Sequence, residues 1–322
     1  MECSRTEGAW GTYDLTPAEL ADCMSRLNAF TVDVEDYYQV SAFEQDIQRD
    51  QWDSYASRVV ANTRRLLRLL EQHRVSATFF VLGWVAERNP HLVREIQDAD
   101  HEVASHSFWH RLVYEQTPDE FRDDLIASRD VLQDITGEKV TAYRAPSFSI
   151  TEKSLWALDI LAEEGFEVDS SIFPVYHDRY GIPDAPTDLH LRETKAGTIW
   201  EFPVSVRKMT GVNLPISGGG YFRLYPYRFT ARCLRRVNER EDRPFVFYVH
   251  PWEVDPNQPR LPIRSRMSRT RHYVNLSRTE RKLDLLLSQF RFGRLRDVID
   301  EHNQRHAAAD DAVSSSATSA SS

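Results

Sequence analysis

Cysteine is nearly absent from this 322-residue chain. Cys3, Cys23 and Cys233 are odd in number and far apart, which excludes a disulfide framework and a zinc–thiolate site and leaves inert thiols as the reading. Lysine is scarcer than its charge partner: five of the 40 basic residues are Lys and the rest Arg. Against 49 acidic residues they leave a net charge of −9, so there is no phosphate-neutralising excess and nucleic acid is excluded as the main partner. Long apolar runs are also missing. The longest, Ala77 to Ala86, spans ten residues, about half of the ~20 that a membrane helix needs. Glu2, Glu7 and Asp14 interrupt the opening stretch where a signal peptide would be apolar, and a cytoplasmic location is expected. No repeat occurs at solenoid or propeller spacing.

What is present is an alternation of short β-branched or aromatic runs with helical patterns. Residues 1–28 form a mixed polar leader. Strands are expected at Ala29–Val32, Ala77–Leu82, Glu102–Ser105, up to Tyr143, at Phe166–Val168, Ile199–Val206 and Phe245–Val249. Between them, Ser57–Gln72 places Val60, Thr63, Leu67 and Leu70 on one helical stripe. Pro90 opens a helix with Asn89 as its cap, and Thr117 with Glu120 makes a capping box for a helix that closes at Gly137. Further helices are read at Thr151–Glu164 and Pro226–Asn238, and Ser277 with Glu280 opens a last Leu-rich one. Residues 29–300 thus read as one α/β domain, its final hundred residues an extension, followed by a disordered Ala/Ser/Asp tail over 301–322. The alternation predicts a parallel, barrel-like sheet wrapped by helices, with chemistry where strands end and loops begin.

Residues of catalytic type follow five of these strands: Asp33, Glu35 and Asp36; His106 and His110; Arg144; Asp169; and His250. A spacing of four between histidines is weak evidence by itself, and His302 with His306 shows it too. That second pair follows no strand and lies in no carboxylate constellation, so it is not read as a ligand pair. His106 and His110 leave a strand end together. One carboxylate of the Asp33–Asp36 cluster can complete a two-His, one-carboxylate site with positions open to water, and another can take the water's proton. Gly218-Gly219-Gly220 lacks the Lys-Ser/Thr of a phosphate loop and reads as a flexible turn, or as a loop offering Tyr221 and Phe222 to a sugar. Trp109 and Trp252, beside the proposed site residues, are equally readable as sugar platforms or core.

Taken in order, these segments resemble the polysaccharide deacetylase family, also called the NodB-homology or carbohydrate esterase family four. Thr31-Val32-Asp33-Val34-Glu35-Asp36 is similar to its Thr-Phe-Asp-Asp-Gly motif, and His106-Ser107-Phe108-Trp109-His110 matches His-Ser/Thr-x-x-His. Arg144-Ala145-Pro146 matches Arg-x-Pro, Asp169 to Pro174 resembles the fourth motif, and Val249-His250 the closing Leu-x-His. The chain is most similar to a subgroup with a Val-Asp-Val-Glu-Asp first motif and a C-terminal extension, here Ser217–Arg223 and Tyr248–Glu253, associated with exopolysaccharide production.

The resemblance implies a distorted (β/α) barrel with fewer than eight parallel strands, and a hydrolase that removes an N-acetyl group from an aminosugar and releases acetate. It implies Asp33 as general base and a divalent metal, zinc by expectation, on His106, His110 and a carboxylate. Glu35 is favoured over Asp36 for that place because residues two apart share a side of a strand. Arg144 would orient Asp33, and the N–H near Ser147 would stabilise the oxyanion. His250 would protonate the amine, with Asp169 as its orienting partner. Without an export signal, the expected substrate is a lipid-linked or precursor glycan, with peripheral contact to membrane-linked glycan machinery. Two alternatives stand beside it: an allantoinase-like amidohydrolase on a small cyclic amide, and a sugar-binding barrel without turnover.

Overall fold

The computed structural model describes residues 26–177 and 179–319, so Cys3, Cys23 and nearly all of the polar leader lie outside it. In chain order its elements are β1 (Leu27–Val34), α1 (Val59–His73), β2 (Thr78–Val81), α2 (Gly83–Arg88), α3 (Pro90–Asp98), β3 (Glu102–Ser105) and α4 (Pro118–Thr136). Then come β4 (Ala142–Tyr143), α5 (Trp156–Glu163), β5 (Val168–Asp169), β6 (His190–Thr194), β7 (Gly197–Glu201), β8 (Val206–Met209) and β9 (Val212–Pro215). The chain closes with α6 (Gly219–Leu224), α7 (Tyr227–Arg240), β10 (Val246–Val249), α8 (Arg266–Tyr273), α9 (Leu276–Gln289), β11 (Arg291–Gly293) and α10 (Leu295–Ser319).

Nine strands make one sheet in the order β10-β1-β2-β3-β4-β5-β7-β6, with β11 beside the start of β1. Every pairing in this sheet is parallel except the β6–β7 hairpin, and β8 with β9 forms a separate antiparallel pair, so the path carries seven parallel strands and the sheet is the distorted (β/α) barrel type, α/β in class. β1 is buried along its whole length, as a parallel strand covered on both faces must be. The two faces differ in kind. Phe30, Val32 and Val34 pack outward beneath the helices in the main core. The inner face carries Ala29, Phe80, Ala104, Ala142, Val168 and Phe202, and Leu295, Val298 and Ile299 of α10 join this second cluster. With a side-chain period of two, Thr31 and Asp33 follow Ala29 onto the inner face, His106 follows Ala104, and Arg144 follows Ala142.

The register levels the strand ends. Val249 pairs with Val32, Val34 with Val81, Val81 with Ser105, Ser105 with Tyr143, and Tyr143 with Asp169. The residues just beyond these strands therefore emerge at one rim.

Local signals account for most boundaries. Thr117 accepts from Glu120 N–H and the box closes as its spacing predicts, while Gly137, at φ 70°, ends α4 in the left-handed region. Two expectations are corrected and one strand is added. α9 starts two residues earlier, from Asn275 at φ 54° with no side-chain cap, and Glu280 is drawn instead to Arg65. β6 is an antiparallel edge strand whose burial alternates, a pattern that an Arg- and Glu-bearing segment hides. The tail read as disordered is helical to Ser319: α10 starts with Leu295, Val298 and Ile299 buried, and an Ala-rich sequence propagates a helix once packing has paid for its nucleus.

Candidate active site

Three ligand-type side chains converge at the rim. One ligand atom each of Glu35, His106 and His110 lies within 4.8 Å of the other two, and all three residues are buried. Glu35 arrives there through a tight turn at the end of β1, where its N–H donates to Asp33 O at 3.0 Å. Asp36 points elsewhere. Its carboxylate accepts from the N–H groups of Tyr37, Arg58 and Val59 and from Ser57 Oγ, so it caps the start of α1 and is spent on the fold.

The histidine pair is not presented by a helical turn. Residues 106–110 form an irregular loop with Ser107 (φ 67°) and His110 (φ 53°) left-handed, and buried Asp124 of α4 accepts the N–H groups of Phe108 and Trp109 at 2.7 and 3.1 Å. His106 Nδ1 lies 2.8 Å from Arg144 O, which fixes that nitrogen as the donor and leaves Nε2 free to ligate. His110 Nδ1 lies 3.3 Å from Ser41 Oγ, which in turn accepts from Ser147 Oγ at 2.8 Å.

The donor set fits a cation. Glu35 Oε2 stands 2.6 Å from His110 Nε2, yet the two lack the geometry of a hydrogen bond, and Oε2 is a buried acceptor without one. Two ligands facing a common ion approach each other in this way. Burial would raise the Glu35 pKa, but His110, His250 and His106 bring it down to about 2. His106 is pushed down to about 4, chiefly by burial. An ionised carboxylate and a neutral imidazole are the forms that bind metal, and a two-nitrogen, one-oxygen set suits zinc among other divalent ions.

Asp33 stands beside this cluster. Fully buried Arg144 donates from Nη1 to Asp33 Oδ1 and to Thr31 Oγ1, both at 2.7 Å. Its other nitrogens are held by Ser170, through the carbonyl at 3.0 Å and Oγ at 2.8 Å. The guanidinium is thus locked from the β5 side and presents its remaining edge to Asp33.

On the opposite side, His250 Nε2 lies 3.9 Å from Asp33 Oδ2 and 3.7 Å from Glu35 Oε1. The partner of its other nitrogen is Glu253, with Nδ1 to Oε1 at 2.7 Å, and not Asp169. Asp169, at the end of β5, accepts from Ser171 and neighbours Glu201 in register; burial raises both carboxyls, and among the described residues no hydrogen bond or ion pair joins Asp169 to His250. The reason is local. Pro251 starts a single helical turn after His250, and that turn carries Glu253 back over the imidazole and its N–H. Glu253 in turn pairs with buried Arg223 of α6, whose Nε donates at 2.6 Å. Burial lowers the His250 pKa, but Glu253, Glu35 and Asp33 outweigh it and hold the ring at about 9.

Sequence reasoning missed Glu253 and Arg223 as site residues; their signal is a carboxylate three residues after a histidine, with proline between. Ser147 and Phe148 are consecutive left-handed residues (φ 51° and 53°), and the Ser147 N–H takes no part in the loop's backbone hydrogen bonds. Gly218 (φ 141°) is not a flexible linker, since a Cβ there would meet Tyr248 O at 2.1 Å; Phe222 is buried in the core and offers no face to a sugar, whereas Tyr221 is partly exposed. Trp252 is buried too, stacked on His250 and donating from Nε1 to Glu35 Oε1 at 3.1 Å, whereas Trp109 is exposed. His302 and His306 lie next to each other along α10 with their rings tilted by 38°, and the metal-type cluster does not include them.

A family model described as "Polysaccharide deacetylase" matches residues 50–166. Over this stretch the chain is similar to that family. A second model, "Domain of unknown function (DUF3473)", matches residues 170–300. The rim unites the two matches: His106, His110 and Arg144 come from the deacetylase segment, and Arg223, His250 and Glu253 from the other. The peptidoglycan-N-acetylglucosamine deacetylase of Bacillus cereus is 34% identical over 98 residues, 30% of this chain and 36% of that one. The chitooligosaccharide deacetylase of a Bradyrhizobium species is 30% identical over 100 residues, covering 31% and 43%. The chain therefore spans less than half the length of these two relatives. A polysaccharide deacetylase structure from Mycobacterium smegmatis superposes with a TM-score of 0.60 at 20% identity, covering 88% of this chain and 92% of that one. One from Pseudomonas aeruginosa gives 0.56 at 14%, covering 89% and 93%. These two share the fold.

Proposed function

We propose that this protein is a divalent-metal-dependent hydrolase that removes the N-acetyl group of an aminosugar within a glycan, releasing acetate. The observation that carries the reading is the convergence of Glu35, His106 and His110 on one point beside an Arg-clamped carboxylate. A cation held by these three residues would supply Lewis-acid polarisation of the amide carbonyl and acidify a water. The chain's own groups do the rest. Asp33, oriented by Arg144, accepts the proton of the attacking water. The N–H of Ser147 donates to the developing oxyanion. His250, held protonated by Glu253, delivers a proton to the departing nitrogen; an amine is a poor leaving group until it receives one. Two buried carboxylates flanking one imidazole divide these roles, since Glu35 serves the metal and Asp33 stays available.

The activities for which these relatives are named, on peptidoglycan and chitooligosaccharides, support an N-acetylated sugar as substrate. We place the reaction at the cytoplasmic side of exopolysaccharide assembly, on a precursor glycan. Among the described residues no helix is long and apolar enough to cross a membrane. The test is acetate release from N-acetylglucosamine oligomers, lipid-linked precursors and cyclic ureides by metal-stripped and zinc- or cobalt-loaded protein. Metal-dependent acetate from a sugar supports the reading. Turnover of the ureide alone, or full activity without metal, overturns it.

A further inference from the structure

The rim opens into a cleft of about 230 Å³. Ser41 and Ser147 line it, the first bonded to His110 and the second to the first, together with Tyr114, Tyr180 and Trp252. α8 forms one wall through Ser268, Arg271 and His272, and Arg179 lines the cleft as well. In a chain of net charge −9, residues 256–279 contain six arginines (Arg260, Arg264, Arg266, Arg269, Arg271 and Arg278) and no Asp or Glu. All six are exposed.

Several surface arginines elsewhere are matched, Arg64 with Glu95, Arg88 with Asp53 and Arg122 with Glu163 and Glu164, whereas Arg68, Arg94, Arg232 and Arg240 are exposed with no carboxylate partner among the described residues but do not line this cleft. In this stretch Arg264 pairs with Asp46 and Arg260 lies over Tyr273. Among the described residues, no carboxylate pairs with Arg266, Arg269 or Arg271. A run of uncompensated guanidinium groups beside a cleft attracts anions over a distance and binds carboxylate or phosphate oxygens through paired N–H groups.

We infer that the glycan is anionic: beyond the reacting acetamido sugar it carries a carboxylate or phosphate that Arg271 binds in the cleft, with the rest of α8 supplying the attracting field. This rests on the deacetylase reading and names its substrate class. The carboxylate of a uronic acid and the phosphate of a sugar-phosphate share the chemistry and are separated by the test.

The experiment compares full-length wild type with Arg271→Gln and Arg271→Lys. Substrates are a neutral N-acetylglucosamine tetramer, a tetramer alternating N-acetylglucosamine with glucuronate, and N-acetylglucosamine linked to pyrophosphate. The expected result is a kcat/KM at least tenfold higher on one of the anionic substrates than on the neutral one at low salt, shrinking as ionic strength rises. Arg271→Gln should lose five- to tenfold on that substrate and less than twofold on the neutral one, with Arg271→Lys between. Equal rates on neutral and anionic substrates, or an equal loss on both in Arg271→Gln, overturns the inference. Should no substrate release acetate, the deacetylase reading fails separately. Calorimetric titration with the glucuronate tetramer then decides: tighter binding than the neutral tetramer, weakened in Arg271→Gln, supports the anionic cleft, and equal binding sinks it. Arg271-dependent binding to anionic phospholipid vesicles without any preference among the oligomers also overturns it, in favour of a lipid surface.

Discussion

Replacing Glu253 by Gln tests the roles assigned to the rim at their least familiar point. The carboxylate receives His250 Nδ1 at 2.7 Å, His250 N–H at 3.1 Å and Arg223 Nε at 2.6 Å, so one side chain is shared by an imidazole, a backbone donor and a guanidinium. Removing one partner of a buried ion pair costs about 3–5 kcal/mol, because the remaining charge stays buried. Arg223 keeps the carbonyls of His272 and Val274 at 2.5 and 3.2 Å and its place over the Trp252 ring, so the cost should sit near the lower end. About 3 kcal/mol in a chain of this size lowers Tm by roughly 6 °C, which leaves a folded protein to assay. The chemical loss should be larger. General-acid help is worth ~10²–10⁴ in rate, and a His250 that has lost its charged anchor should forfeit about 10² of it, some 2.7 kcal/mol of barrier.

The informative assay pairs an N-acetyl amide with an aryl acetate ester of similar size. An aryl oxide leaves without being protonated, so Glu253→Gln should cut kcat about a hundredfold on the amide and less than fivefold on the ester, with KM unchanged on both. An equal fall on the two substrates would make Glu253 a merely structural residue. No fall on the amide would remove His250 from the acid's place altogether.

The ligand and base assignments separate by metal content: His106→Ala should lose both bound metal and activity, whereas Asp33→Asn should keep metal, read by elemental analysis, and lose at least 10³ in kcat. Asp36→Ala should retain metal and instead lose about 1–2 kcal/mol in urea unfolding, because it strips the start of α1 of its acceptor. His101, far from the rim, should govern part of the acid limb of stability. Burial lowers its pKa from 6.5 to about 4, and its Nδ1 accepts the Ala77 N–H at 3.1 Å, which only the neutral ring can do. The folded protein therefore binds fewer protons than the unfolded chain between those values, and stability is lost as pH falls from 6.5 through 4. His101→Asn keeps an acceptor without a charge and should flatten that slope; an unchanged slope by chemical denaturation between pH 7 and 4 would refute the assignment.

Most of the strands, the capped helices and the strand-end residues are legible in the sequence because they rest on short-range rules. A strand alternates its faces, so Asp33 follows Thr31 and Ala29 inward. A Thr–Glu box opens α4, and glycine closes it. In a parallel sheet, the residue after each strand falls at one edge. What the residues alone leave undecided is which of several acids does which work, because that depends on what else is buried nearby. Glu35 and Asp36 are adjacent and chemically alike, but the start of α1 takes the second and leaves the first to the histidines. Asp169 ends a strand as Asp33 does, yet its neighbour is Glu201 on the adjoining strand. Glu253 reaches His250 through one turn begun by proline, and it is anchored there by Arg223, thirty residues earlier in the chain. Composition at the tail suggested disorder, since no sum over its Ala and Ser shows that Leu295, Val298 and Ile299, just before them, would pack on the inner face of the sheet. Periodicity and caps are written into neighbouring residues, whereas the partner of a buried charge is set by long-range packing that only the folded chain creates.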